Sequence, residues 1–240
     1  MRKHIPNLIT CLNVTSGTVA VFLAYNGELL LAALCVLLAM VFDFFDGLTA
    51  RLLHVKSEMG KELDSLADAV SFGLVPAVLA HFLIKDVVLI RSFTSFYLLQ
   101  PWFENILVYS PLIIPGFSIY RLAKFNLDSR QTHSFIGMPT PANALFWVSL
   151  VFCFTFEREV FFSIWGNPFI LALCVLVLSI LLVSEIPMFS LKLTSFSFRE
   201  NRLLYIFLGL LVIMVILWGW CGLSFMIPLY VLVSLCGKKN

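Results

Sequence analysis

The sequence predicts an all-α fold: a polytopic bundle of helices that crosses a membrane several times. Three observations carry that prediction. Of the 240 residues 60% are hydrophobic and only 12% are charged, against about a quarter charged in soluble domains. The mean hydropathy is +0.98. Apolar runs long enough to cross about 30 Å of hydrocarbon, roughly 20 residues each, recur along the whole chain.

In order, the predicted spans are 8–25, 29–53, 59–84, 104–125, 141–157, 168–186, 203–218 and 221–236. Short connections rich in Pro, Gly or Asn separate several of them, at Asn26-Gly27, Pro101, Gly137 to Pro141 and Gly166-Asn167-Pro168. The basic start MRKHIPN runs into the first span without a convincing small-residue cleavage site, so it is read as a retained helix. The last two spans require a tight turn at Trp218-Gly-Trp-Cys-Gly222. No repeat or linker divides the chain, and one domain over 1–240 is expected. Cys11, Cys35, Cys153, Cys174, Cys221 and Cys236 lie scattered in apolar sequence, with no CxxC pair and no nearby His. They are expected to be small unpaired hydrophobes, without disulfide or zinc.

Lys and Arg are unevenly distributed over the two sides of this topology. One side carries Arg2, Lys3, Arg51, Lys56, Lys61, Arg121, Lys124, Arg130, Lys192, Arg199, Arg202, Lys238 and Lys239; the other has Lys85, Arg91 and Arg158. By the positive-inside rule both termini are cytoplasmic. His133, in a loop, is assigned no role, and His81 is expected at a membrane interface.

The unusual feature is acidic. Asp43 and Asp46 fall near the cytoplasmic end of the second span, and Asp64 and Asp68 near the start of the third. Residues three or four apart share a helix face, so Asp43, Asp46, Gly47 and Ala50 form one stripe. Gly60, Asp64, Asp68 and Ser71 or Phe72 form another. A short turn near His54 to Ser57 makes the two helices antiparallel, and the stripes face each other. Ionised carboxylates in a bilayer are costly unless paired or bound to a cation. An all-oxygen cluster suits Mg²⁺ or Mn²⁺, and four carboxylates suffice to bridge two ions for displacement at phosphorus. Gly47, Ala50 and Gly60 leave room for a large ligand, and Arg51 offers planar donors to a phosphate. Eight positions in this pattern match by chance on the order of once in 10⁹ starting points or fewer, at average residue frequencies.

Asp43-x2-Asp46-Gly47-x2-Ala50-Arg51-x8-Gly60-x3-Asp64-x3-Asp68 resembles in full the signature of the CDP-alcohol phosphatidyltransferase family. The resemblance implies a membrane enzyme with a six-helix catalytic core, here 1–190, followed by two additional helices in 200–240. It implies transfer of a phosphatidyl group from a CDP-linked lipid to an alcohol with release of CMP, two divalent ions on Asp43, Asp46, Asp64 and Asp68, and Asp68 as general base. It also implies a homodimer. Ile5-Pro-Asn-Leu-Ile-Thr10 with Asn13 is similar to the family's first-helix motif, which places Asn7 and Thr10 at the nucleotide pocket.

Asp64-Ser-Leu-Ala-Asp68-Ala-Val-Ser-Phe-Gly73-Leu-Val-Pro76, Arg121-Leu-Ala-Lys-Phe-Asn126 and Phe135-Ile-Gly-Met-Pro-Thr-Pro-Ala142 resemble the serine-using bacterial branch. The expected substrates are therefore CDP-diacylglycerol and L-serine, with glycerol 3-phosphate or inositol as alternative acceptors. Arg121 and Lys124 would neutralise serine's carboxylate or the lipid phosphate. The expected location is the bacterial inner membrane, with the site facing the cytoplasm and membrane lipid, rather than nucleic acid, as partner. A cation channel or transporter, which would also bury carboxylates, would be expected to show broken helices or an inverted repeat. Neither is evident in the sequence. A phospholipase-D-like mechanism needs two His-x-Lys-x4-Asp motifs, and Lys61 stands where the Asp after His54-Val-Lys56 should be.

Overall fold

The computed structural model describes residues 4–55, 57–94, 101–127, 135–188 and 202–236. Arg2, Lys3, Lys56, Arg130, His133, Lys192, Arg199, Lys238 and Lys239 lie outside them. The helices follow the apolar runs: α1 (His4–Tyr25), α2 (Leu29–Leu52), α3 (Glu58–Asp68), α4 (Val75–Thr94), α5 (Pro101–Tyr109), α6 (Ile113–Leu127), α7 (Thr140–Phe156), α8 (Arg158–Ile164), α9 (Pro168–Val183), α10 (Arg202–Trp218) and α11 (Met226–Cys236). A π-helical turn, Ala69–Leu74, joins α3 to α4, and a 3₁₀ turn, Ser110–Leu112, joins α5 to α6. A two-residue antiparallel ladder pairs β1 (Phe135–Ile136) with β2 (Pro187–Met188).

By length and apolarity His4–Tyr25, Leu29–Leu52, Glu58–Arg91 and Trp102–Leu127 can each cross a membrane, Thr140–Phe156 is a shorter apolar helix, and α8 with α9 forms a pair bent by 74°. Leu204–Ser234 also qualifies as one 31-residue stretch, yet it does not run straight. The rings of Phe207 and Tyr230 lie 6.1 Å apart, whereas a continuous helix rising about 1.5 Å per residue would hold them more than 30 Å apart. The chain reverses at Gly219, whose φ is +55°, within the Trp218 to Gly222 turn expected from sequence. The 3₁₀ segment Gly219–Phe225 then leads into α11. At about 2.0 Å per 3₁₀ residue and 1.5 Å per α residue, segment and helix together reach about 30 Å, one bilayer thickness. The chain is thus a multi-pass membrane protein, and among the described residues α10 and α11 are two antiparallel arms rather than one straight span.

Contacts define the two faces. At one, Lys61 donates to the Asn126 carbonyl at 3.0 Å, Lys124 pairs with Glu185 at 3.0 Å, and β1 meets β2. At the other, Arg91 donates to the Gly166 carbonyl and the turn after α10 meets Glu157 at the end of α7. Small residues let α1 and α2 approach closely, as membrane helices do where there is no bulk between them: Ala20, Ala24, Ala32, Ala33 and Ala39 have no exposed surface, and Ser16 reaches the Cys35 carbonyl at 2.8 Å. α7 is apolar all round and central, burying Phe146, Trp147, Leu150, Val151 and Cys153.

One expectation is corrected. Cys153 and Cys221 are not unpaired: they form a disulfide, with Cα atoms 4.4 Å apart, because the reversal after α10 brings Cys221 onto the end of α7. Cys11, Cys35 and Cys174 are free as expected. His81 is half-buried, with Nδ1 2.8 Å from the Val108 carbonyl oxygen.

Candidate functional site

The site begins with a tight reversal. His54, in the left-handed region at φ 54°, breaks the path beyond α2, and Ser57 caps α3 by accepting from the Gly60 N–H at 3.0 Å. The turn sends the chain back, and α2 and α3 both pack on α1. Their facing stripes bring carboxylate oxygens of Asp43, Asp64 and Asp68 within 4.8 Å of one another. Asp43 and Asp64 come within hydrogen-bonding range of each other.

The fourth carboxylate, Asp46, is held by α1. It is almost fully buried and accepts a 2.6 Å hydrogen bond from the Thr10 hydroxyl. One turn deeper, the Asn13 amide donates to Asp68 Oδ1 at 3.3 Å, while the Ser71 hydroxyl donates to the Asn13 carbonyl at 3.1 Å. α1 therefore supplies one partner to each helix of the acidic pair. Among the described residues none of the four aspartates has a salt bridge, and the buried Asp64 Oδ1 has no hydrogen-bond partner. Converging carboxylates with an orphaned oxygen and no Lys or Arg partner fit a hard divalent cation.

Beside the acids lies a cavity of about 510 Å³, within the range of small-molecule sites. Asn7, Thr10, Gly47, Ala50, Arg51 and Gly60 line it together with Asp46 and Asp64. The two glycines differ in meaning. A Cβ on Gly60 would stand 3.0 Å from Ser57 Oγ and 3.3 Å from Asn7 Oδ1, so its bareness serves the cap and the approach of α1. A Cβ on Gly47 would meet only Arg51, at 3.7 Å, and its bareness leaves the wall open.

Arg121 and Lys124, one helical turn apart on α6, part company. Arg121 is buried, stacks over the Phe125 ring at 5.1 Å and lies within electrostatic reach of Asp68. Lys124 is tied to Glu185 and does not line the cavity. Lys61, which does line it, is placed by the sequence only on the cytoplasmic side, and the pairing of Asn13 with Asp68 carries no expectation from it. A signal for the latter exists: Pro6, Thr10, Asn13, Gly17, Ala20 and Ala24 form the buried stripe of α1, and polar residues on the inward stripe of an apolar helix need partners there.

A family model described as CDP-alcohol phosphatidyltransferase matches residues 3–235. The chain is 35% identical over 184 residues to a Bacillus subtilis protein named CDP-diacylglycerol--serine O-phosphatidyltransferase, covering 77% of this chain and 89% of that one. A Helicobacter pylori protein of the same name is 28% identical over 210 residues, 87% of this chain and 81% of its own. An archaetidylserine synthase from Methanothermobacter thermautotrophicus is 32% identical over 187 residues, 76% of this chain and 68% of its own.

Proposed function

Because the chain belongs to the CDP-alcohol phosphatidyltransferase family, we propose that it transfers the phosphatidyl group of CDP-diacylglycerol to the hydroxyl of L-serine, releasing CMP. The observation that carries the chemistry is the convergence of Asp43, Asp64 and Asp68 beside a cavity walled by Asp46 and Arg51. The relatives named for serine, and a buried Arg121 near Asp68, support the acceptor.

Asp43, Asp46, Asp64 and Asp68 would hold two divalent ions, Mg²⁺ or Mn²⁺. Such ions, when bound, neutralise charge that develops on the phosphates and on the leaving CMP. The cavity takes the nucleotide, and Arg51 offers planar donors to its phosphates. Asn13 fixes Asp68 through Oδ1 and leaves the other carboxylate oxygen to take the serine hydroxyl proton. The freed oxygen attacks the lipid-side phosphorus, and the bond to CMP breaks. Arg121 holds the serine carboxylate as a fork of donors, and its burial makes that charge pairing strong. The bias of Lys and Arg supports a cytoplasmic site, and the bacterial relatives support a bacterial cell membrane.

The test is an assay of the purified chain with CDP-diacylglycerol, Mn²⁺ or Mg²⁺ and one labelled alcohol at a time, with Asp68→Asn as control. Phosphatidylserine and CMP are expected with serine alone, and neither with the variant. Turnover only with glycerol 3-phosphate or inositol would overturn serine as acceptor. No CMP release with any alcohol would overturn the assigned chemistry.

A further inference from the structure

The two helices beyond the six-helix core meet that core at a covalent bond. Cys153, near the end of α7, and Cys221, in the reversal between α10 and α11, are joined across 68 residues of chain, and neither has exposed surface. The surroundings fit the same junction. Trp165 Nε1 donates to the Ser224 hydroxyl at 2.9 Å, and that hydroxyl donates to the Cys221 carbonyl at 2.6 Å. Trp220 packs on Phe152 and Phe156 of α7, with ring centroids 5.7 and 5.2 Å away. Gly219 takes φ +55°, a conformation that favours glycine, where the chain meets the Glu157 carboxylate.

All of this lies on the face opposite the aspartates. That face has few positive charges, and the charge bias puts it outside the cytoplasm. Disulfides persist in oxidising compartments and are rare in the cytosol. Two independent features, the charge bias and the paired cysteines, therefore agree on which face is external.

We infer that Cys153–Cys221 is an oxidised staple, closed from the external face, which locks the α10–α11 hairpin onto α7. Closure follows thiol–disulfide exchange with a disulfide-carrying oxidant of that compartment. One cysteine thiolate attacks the oxidant's disulfide, forming a mixed disulfide. The second displaces it, and the oxidant leaves as a dithiol that carries the two electrons and, on its sulfurs, the equivalent of the two cysteine protons. Once the hairpin has docked, the bond is shielded from solvent reductants. The other end of the hairpin bears on the site face, where α11 packs against β2. β2 pairs with β1, and the backbone N–H groups of Gly137 and Met138 bond to the Ile186 and Leu181 carbonyls at 2.9 and 3.1 Å. The staple thus anchors a strut whose inner end supports the segment leading into Thr140. This inference does not depend on which alcohol the protein uses.

The experiment inserts a protease recognition site between Met188 and Arg202 in the full chain. Cells are quenched in acid, and thiols are alkylated before lysis to prevent later oxidation. After cleavage, a non-reducing denaturing gel is expected to show one species of full mass, and a reducing gel two fragments. Cys153→Ala/Cys221→Ala should give two fragments on both gels, and a thermal midpoint in detergent several degrees below that of the parent, while Cys174→Ala should behave as the parent does. Two fragments from the parent without reductant would overturn the bond. A double variant with an unchanged midpoint would overturn the locking role.

Discussion

Thr10→Val tests whether α1 positions the acidic site. The Thr10 hydroxyl lies 2.6 Å from Asp46 Oδ2 and 3.1 Å from the Pro6 carbonyl, and it has one proton to give. The shorter contact, to a carboxylate, takes it. Valine keeps the shape of threonine, so no cavity confuses the result, but it leaves a buried Asp46 oxygen without its donor. Hydrogen bonds to charged groups contribute about 1.5–3 kcal/mol, which is about 10- to 150-fold at about 1.4 kcal/mol per decade. That range agrees with the loss of about 10- to 100-fold seen when a partner of a metal-binding carboxylate is removed. The assay is initial CMP release at increasing Mn²⁺, with the thermal midpoint measured alongside. Thr10→Val should shift the metal dependence or the rate by at least tenfold and lower the midpoint by several degrees, and Thr10→Ser should stay near wild type in both. If Thr10→Val falls within twofold of wild type at every metal concentration, the hydroxyl serves only the Pro6 carbonyl and the positioning argument fails.

Chelation with EDTA should abolish turnover and added Mn²⁺ or Mg²⁺ should restore it; full activity after exhaustive chelation would contradict the metal reading of the aspartates. Gly17→Ala should lower the thermal midpoint and the activity together, since its Cβ would stand 2.9 Å from the Ser71 Cα and force α1 off the π turn, an overpacking of about 1–3 kcal/mol. Gly116→Ala, with nothing within 4 Å of its added Cβ, should change neither. Arg121→Lys should raise the KM for serine about tenfold or more, as a fork of donors becomes a point charge. Lys124→Gln should stay within about threefold, because an exposed pair such as Lys124–Glu185 contributes under about 1 kcal/mol.

The legible parts of the molecule were those written in a single run of sequence. Helices α1, α2, α7 and α10 end within a few residues of their apolar runs, because in hydrocarbon a backbone has no partner but itself. The acidic stripes were legible for a similar reason: the helices that carry Asp43 and Asp64 are joined by a turn of a few residues, so the spacing brings the two acids to a similar depth. What stayed hidden required a long-range contact. Helix α8 is only seven residues long and merges with the apolar sequence around it. The partnership of Cys153 with Cys221 depends on the place where α10 turns back, and no spacing rule connects residues on different passes. The roles of Thr10 and Asn13 depend on the rotation of α1 against two other helices.

The π turn shows how a small departure from regular helix serves the site. The sequence left open whether Ser71 or Phe72 continues the stripe of Gly60, Asp64 and Asp68, since three- and four-residue steps both lie on one α-helical face. In the structure Ser71, Phe72 and Gly73 are all buried. Each meets something different: Ser71 bonds to the Asn13 carbonyl, Phe72 enters the apolar core, and Gly73 packs against Ser118, where an added Cβ would stand 3.1 Å from the serine Cβ. A π turn closes its hydrogen bond one residue later than an α turn, so helix phase slips by about 100°. Before the slip, the third pass can aim Asp64 and Asp68 at α2; after it, the same pass can present a face suited to the core. One pass thereby serves two interfaces that a straight helical stripe could not serve together, and the slip falls immediately after Asp68, the residue whose aim depends on it most.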